Sequence, residues 1–255
     1  MRAWAVFKKE IRLYFSSPIA YAVYAFFALV AGWFFYNIFR FYTFVSMQAA
    51  MNPMMARESS VTEGVLRPLF SNMSVLLLFV LPALSMRSFS EEKRSGTIEL
   101  LLTYPVRDGE VLLGKYLAAL AVYLGMLAFT LVYALLVAWT TPVEWGPLLS
   151  GYLGLVLQGA ACLAVGVLVS SLTENQIVSF LATCATLLFL WVIGWASDSA
   201  GGGWGRVITH LSITEHFDAF AKGVIDTKDV IYYLDLSILS LFLTLRSLES
   251  KRWRG

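Results

Sequence analysis

The chain has 255 residues, of which 58% are hydrophobic and 14% charged, with a mean hydropathy of +0.70. A soluble domain carries roughly 25% charged residues, so this composition excludes a water-soluble globular protein, whose apolar surface could not be covered. The formal net charge of +2 marks no nucleic-acid partner, and no stretch resembles a groove-reading helix or a base-stacking platform.

Residues 1–17 predict an amphipathic helix lying in a membrane interface. Trp4, Phe7, Ile11 and Tyr14 share one helical face, while Lys8, Lys9 and Arg12 lie on another. Ser17 and Pro18 mark the change of direction into the first span. Residues 18–248 then predict an all-α, polytopic domain. A helix needs roughly 20 mostly apolar residues to cross about 30 Å of hydrocarbon, and six stretches meet that need: 19–39, 66–86, 111–139, 148–170, 177–195 and 230–248. The first is too long for a cleavable signal and has no small-residue cleavage site after it. The second is the weakest, because Arg67 and Pro68 stand at its start and its apolar core is short.

Residues 42–67 predict a polar excursion between spans one and two, with Met47, Met51, Met54 and Met55 in it. Clustered thioethers can bind Cu(I). Adaptable apolar contact is the reading favoured here, because no His or Cys joins them.

The loop after span two runs from Arg87 to Pro105. Its charged turn, Glu91, Glu92, Lys93 and Arg94, predicts a short solvated helix ended by Gly96. Thr97 is placed to cap a following turn, whose ridge is Ile98, Leu101 and Leu102. Next, Gly109 to Lys115 matches the first seven places of a phosphate-binding loop. The eighth is Tyr116 where Ser or Thr should hold Mg²⁺, and the segment opens an apolar span rather than following a strand. A helix start beside Asp108 is the simpler reading.

Span four carries Gly151, Gly154, Gly159 and Gly166, small residues that let helices approach closely in lipid, within the bundle or across a dimer. Cys162 and Cys184, in spans four and five, read as small apolar residues. Between spans five and six, Gly201 to Gly203 predict a turn. A short helix then follows, with Ser212 and Glu215 at capping-box spacing, Phe217 and Phe220 as its apolar side and Gly223 as its left-handed stop. His210, His216 and Asp218 lack the spacing of a metal-binding helix face. Asp226 and Asp229 repeat the capping geometry before span six, and residues 249–255 form a short basic tail.

With six spans, the termini and the loops after spans two and four share one side, which collects 13 of the 19 basic residues. The positive-inside tendency puts that side, with both termini, in the cytoplasm. The spans are nearly free of the buried polar groups that membrane enzymes use. Asp235 in span six is the main exception, either reaching the interface or lining a polar path, and Gln158 can bond across a helix contact. No acid–base pair, zinc motif or nucleophile elbow is present.

The loop residues Arg87-x-Phe89-x-Glu91-Glu92-Lys93-Arg94-x-Gly96-Thr97-x-Glu99-Leu100-Leu101-x-x-x-Pro105 closely resemble the coupling-helix signature of ABC-2 type export permeases. Two further stretches look like the gliding-motility and nitrous-oxide-maturation branch of that family: Lys9-Glu10-x-x-x-Tyr14-Phe15-Ser16-Ser17-Pro18 and Glu215-His216-Phe217-Asp218-Ala219-Phe220-x-x-Gly223. The turn from Ser170 to Gln176 also fits.

The resemblance implies a permease subunit of the inner membrane, dimeric with a second copy or a paralogue, whose cytoplasmic loops dock on separate ATP-binding-cassette subunits. Those subunits would carry ATP and Mg²⁺; this chain would bind no cofactor and would be no enzyme. The docking role would fall on Phe89, Glu91, Glu92, Lys93, Arg94, Gly96, Thr97 and Glu99, with the acidic residues meeting basic residues of the partner. An accessory protein could bind the outer segments. Related members are tied to surface motility, to export of polysaccharides, lipids or drugs, and to copper-enzyme maturation. The competing reading is a non-transporting scaffold or motion-transmitting sensor with the same fold and docking loop.

Overall fold

A computed structural model describes residues 2–51, 61–97, 107–140, 144–197 and 210–252. Among the described residues all regular structure is helical: α1 (Arg2–Ser16), α2 (Pro18–Met51), α3 (Arg67–Ser85) entered through a π-helical turn (Thr62–Leu66), α4 (Ser90–Arg94), α5 (Asp108–Thr140), α6 (Trp145–Leu172), α7 (Gln176–Ser197), α8 (Glu215–Ala221) and α9 (Thr227–Arg252). Six of these paths are long and apolar enough to cross a bilayer, namely α2, α3 with its flanking turns, α5, α6, α7 and α9. The expected all-α, six-span membrane fold is therefore present. Met54, Glu99, Ile98, Leu101, Leu102, Pro105 and Gly201 to Gly203 lie outside the described residues.

Span one does not end where its hydropathy suggests. Nothing between Phe39 and Met51 breaks a helix, since that stretch has no Gly or Pro, and α2 runs 34 residues. At 1.5 Å per residue that is about 50 Å, well beyond the ~30 Å hydrocarbon core. The first part of the expected polar excursion is thus a helical extension carrying Met47 and Met51 on exposed positions. The π-helical turn folds back on it: Val61, Val65 and Val137 pack with Phe35, Ile38, Phe39 and Tyr42. Gly64 is needed there, because a Cβ would stand 2.4 Å from the Tyr42 ring.

Span two, the weakest by sequence, is central. Its hydrophobic window is 67% buried within the chain, as is that of span four, against 17% for span one. A span surrounded by protein tolerates polar residues that a lipid-facing one does not, which explains its short apolar run. Ser74 Oγ donates to Gln158 Oε1 at 2.8 Å, and Gln158 Nε2 donates back to the Ser74 carbonyl at 3.3 Å. Pro68 is the second residue of α3, directly after the π-helical turn.

The glycines of span four settle an alternative left open by sequence. A Cβ on Gly151 would meet the Phe70 ring at 2.3 Å, on Gly154 the Phe220 Cβ at 2.6 Å, on Gly159 the Tyr123 ring at 2.3 Å, and on Gly166 the Ser85 Oγ at 1.9 Å. All four serve contacts within this chain. In lipid the hydrophobic effect does not draw helices together, so such close van der Waals packing is the main cohesive term.

Candidate functional site

At the end of the bundle that carries α1 and α4, the chain leaves α3 through a tight turn, the Met86 amide donating to Pro82 O at 2.9 Å and Ser88 to Ser85 O at 3.0 Å. Phe89 then occupies the N-cap position of α4 but supplies no side-chain cap. Span four provides one instead. Ser170 Oγ accepts from the amides of Phe89 (3.0 Å) and Ser90 (3.1 Å) and donates to Met86 O at 2.9 Å. Lys93, also buried, donates to the carbonyl of Ser171. Gly96 closes the turn with φ +68°, its amide donating to Lys93 O at 3.2 Å. The Thr97 hydroxyl bonds back, to Ser95 Oγ at 2.8 Å and Glu92 O at 3.4 Å; the turn it was expected to cap lies outside the described residues.

The two glutamates of the loop face different ways. Glu91 is 54% exposed, its carboxylate 3.7 Å from Arg87 Nε, and Arg94 is exposed as well. Glu92 turns inward to Lys115 Nζ at 2.9 Å and Lys9 Nζ at 3.5 Å. Lys115, 3% exposed, holds Glu10 of α1 at the same 2.9 Å and lies 5.3 Å over the Phe89 ring. Beside this cluster Tyr14 donates to Leu84 O at 2.8 Å. Burial, with Glu10 adding to it, pushes the Tyr14 phenol well above its ordinary value and keeps it a neutral donor.

Sequence reasoning named Glu10 in the branch motif and Lys115 in the false phosphate loop but did not bring them together. Asp235 is not the main ionisable exception among the spans, because Lys115 lies inside the predicted third span and is buried. A cation within an apolar window was the available signal. The false phosphate loop has its explanation here too: Gly109 to Lys115 is continuous helix α5, and Gly114 lets α1 approach, with Val6 at 2.8 Å and the Ala3 carbonyl at 2.9 Å from where a Cβ would stand.

At the opposite end, α8 begins after Thr214, and neither Thr214 nor Ser212 caps it with a side chain; the expected capping box is replaced by a Ser212–Thr214 hydroxyl contact at 3.3 Å. Its end is as expected. Gly223 has φ +89°, and the pair Val224 N to Ala219 O (3.0 Å) and Gly223 N to Phe220 O (3.1 Å) forms a Schellman motif. Phe217 and Phe220 are buried against span four. His216 Nδ1 lies 2.7 Å from Asp229 Oδ1, its Nε2 is 3.3 Å from His210 O, and its ring stacks on Tyr232 at 4.0 Å. Of the two acids expected to cap span six, Asp226 does so through the Lys228 amide (3.1 Å), while Asp229 serves His216.

Asp235 and Gln158 are not brought together. Gln158 is fully buried between α6 and α3, whereas Asp235 is exposed on the outer surface of α9, beside Tyr232, Leu239 and Phe242. Met47 and Met51 are one helical turn apart, and the described residues contain no group of three or more His, Cys, Asp or Glu able to hold a metal ion.

A family model described as "ABC-2 family transporter protein" matches residues 4–246 of the chain. No curated protein matches it.

Proposed function

Because the chain belongs to the ABC-2 family of transporter proteins, and is thus a non-catalytic, multi-pass permease subunit of an ABC transporter, we propose that it drives export by docking a separate ATP-binding-cassette ATPase on the α4 loop. The carrying observation is the division of that loop. Glu91 and Arg94 present charge outward from a five-residue helix whose base is fixed in the bundle by Phe89, Lys93, Ser170 and Ser171. Fixed below and charged above, such a knob can receive a push and pass it on. Gly96 and Thr97 close its upper side, and Glu99 extends the same motif.

On this reading the α1 and α4 end faces the cytoplasm, as the excess of basic residues on that side supports, and the membrane is the inner one. α1 lies in its interface. ATP and Mg²⁺ belong to the partner, and a second permease copy or paralogue completes the complex. Membership of the gliding-motility and nitrous-oxide-maturation branch is supported by His216, Phe217, Phe220 and Gly223, which are motif residues and also one packed unit on span four and α9. The substrate is whatever that complex extrudes.

The test is co-purification in mild detergent with the ATPase subunit, followed by ATP hydrolysis by the complex. Glu91→Lys combined with Arg94→Glu should weaken association and remove stimulated hydrolysis while leaving the permease folded. Unchanged association and hydrolysis would sink the docking assignment.

A further inference from the structure

The α4 loop has a second anchorage besides span four, and it is ionic. Glu10 from α1 and Glu92 from α4 each stand 2.9 Å from the single ammonium of Lys115, two turns into α5. Lys9 adds a second cation, 3.5 Å from Glu92 and 3.9 Å from Glu10, so two carboxylates face two ammonium groups. Of the two cations, only Lys115 is out of solvent, and only it contacts both carboxylates at hydrogen-bonding distance. The Phe89 ring beneath it closes the side towards the bundle.

We propose that Lys115 is a positioning residue that yokes α1 and α4 to span three, so that displacement of the loop moves the three elements as one body. The inference rests on the docking assignment for its purpose, but its physical content belongs to this chain alone. Buried charges cannot be separated cheaply, because the group left behind has neither water nor a partner. Moving α4 without α5 would strand Glu92 and half-strand Lys115. Moving α1 would do the same to Glu10. Removing the Lys115 ammonium leaves two near-buried carboxylates sharing one pocket with only the more distant, solvent-screened Lys9 to offset their repulsion, which drives the elements apart. The hydrogen bonds to Ser170 and Ser171 fix α4 to span four but do not reach α1 or span three; the half-exposed Lys9 ties Glu92 to α1, and Lys115 alone of these cations joins α4 and α1 to span three.

The experiment uses nitroxide pairs on exposed positions of the full chain in nanodiscs of phosphatidylethanolamine and phosphatidylglycerol, with Cys162 and Cys184 replaced by Ala. Distances between Arg94 and Leu113 report α4 against α5, and those between Lys8 and Leu113 report α1 against α5. The unchanged protein should give one narrow distance for each pair. Lys115→Met should lose both, and Lys115→Arg should restore both. Glu92→Met should lose only the Arg94 pair, an outcome that general destabilisation would not produce. In the complex with its ATPase, Lys115→Met should keep ATP hydrolysis but lose the nucleotide-dependent shift between labels at Met47 and Leu149. An Arg94 to Leu113 distance that stays narrow in Lys115→Met overturns the yoke and leaves docking untouched. Failure of any ATPase to associate with the unchanged protein overturns docking and leaves the two distance pairs to decide the yoke.

Discussion

Ser170, at the end of span four, caps helix α4 for Phe89, a residue 81 positions earlier that cannot cap it itself. One hydroxyl accepts from two buried amides and donates to the part-buried Met86 carbonyl. Ser170→Ala leaves those buried amides without an acceptor, at a cost of about 1–3 kcal/mol. Thermal unfolding of the detergent-solubilised protein should show it as a lowered midpoint, with a smaller loss for Ser171→Ala, whose hydroxyl bonds only its own helix at Leu168.

The glycine contacts of span four predict a sharp contrast. Tyr123 is fully buried and donates to Leu155 O at 2.6 Å, so it cannot retreat from a methyl placed 2.3 Å from its ring at position 159. Gly159→Ala should cost about 1–3 kcal/mol or more by overpacking and reduce the yield of folded protein. Gly109→Ala, with open space around it, should be tolerated. Size-exclusion profiles of the two variants decide the matter. Tolerance at 109 would also count against any phosphate-cradling use of that glycine.

Much of the fold was readable because a bilayer imposes its own arithmetic. Six apolar runs had to be six helices, and Gln158 in such a run had to find a partner across a helix contact. What escaped was the meeting of distant segments. Glu10 and Lys115 are 105 residues apart, and periodicity puts each on a face without saying what that face meets. Arg67 and Pro68 made span two look marginal, yet the arginine side chain reaches Asp218 and the proline stands at the junction of the π-helical turn with α3. The length of α2 was hidden for a simpler reason: hydropathy reports where a helix leaves lipid, not where it stops.

Gly96 closes the turn after α4 by virtue of its backbone alone. No atom lies within 4 Å of where its Cβ would be, but its φ of +68° is one that L-residues resist. Gly96→Ala should therefore cost about 1–2 kcal/mol, spent locally in the α4 turn, and Gly96→Asn less. Faster tryptic cleavage after the exposed Arg94 is the expected signature, with little change in the global unfolding midpoint.

Arg67 ties the entry of span two to α8 through Asp218 at 3.1 Å. Burial raises the Asp218 carboxyl, but hydrogen bonds and charge from Lys222 and Arg67 outweigh it and hold the group below the usual carboxylate range. A depressed folded value contributes stability that is present above the unfolded value, near 3.9, and lost as pH falls through the folded one. Both partners are more than a third exposed, so solvent limits the pair to below about 1 kcal/mol. Arg67→Gln should lower the unfolding midpoint slightly at neutral pH, and the difference should vanish in acid.

His216 and Asp229 make the stronger tie at that end, joining α8 to the first turn of α9 at 2.7 Å with 6% and 2% of each residue exposed. The imidazole is held on its other two sides by the His210 carbonyl and the Tyr232 ring, so it cannot turn to find water if the carboxylate is removed. Asp229→Ala should cost about 1–3 kcal/mol, and Asp229→Asn less, since the amide oxygen can still accept. If the histidines instead served a metal ion, a chelator would lower the midpoint of the unchanged protein and spare Asp229→Ala. The hydrogen-bonded pair predicts the reverse: no response to chelation, and a lower midpoint on substitution.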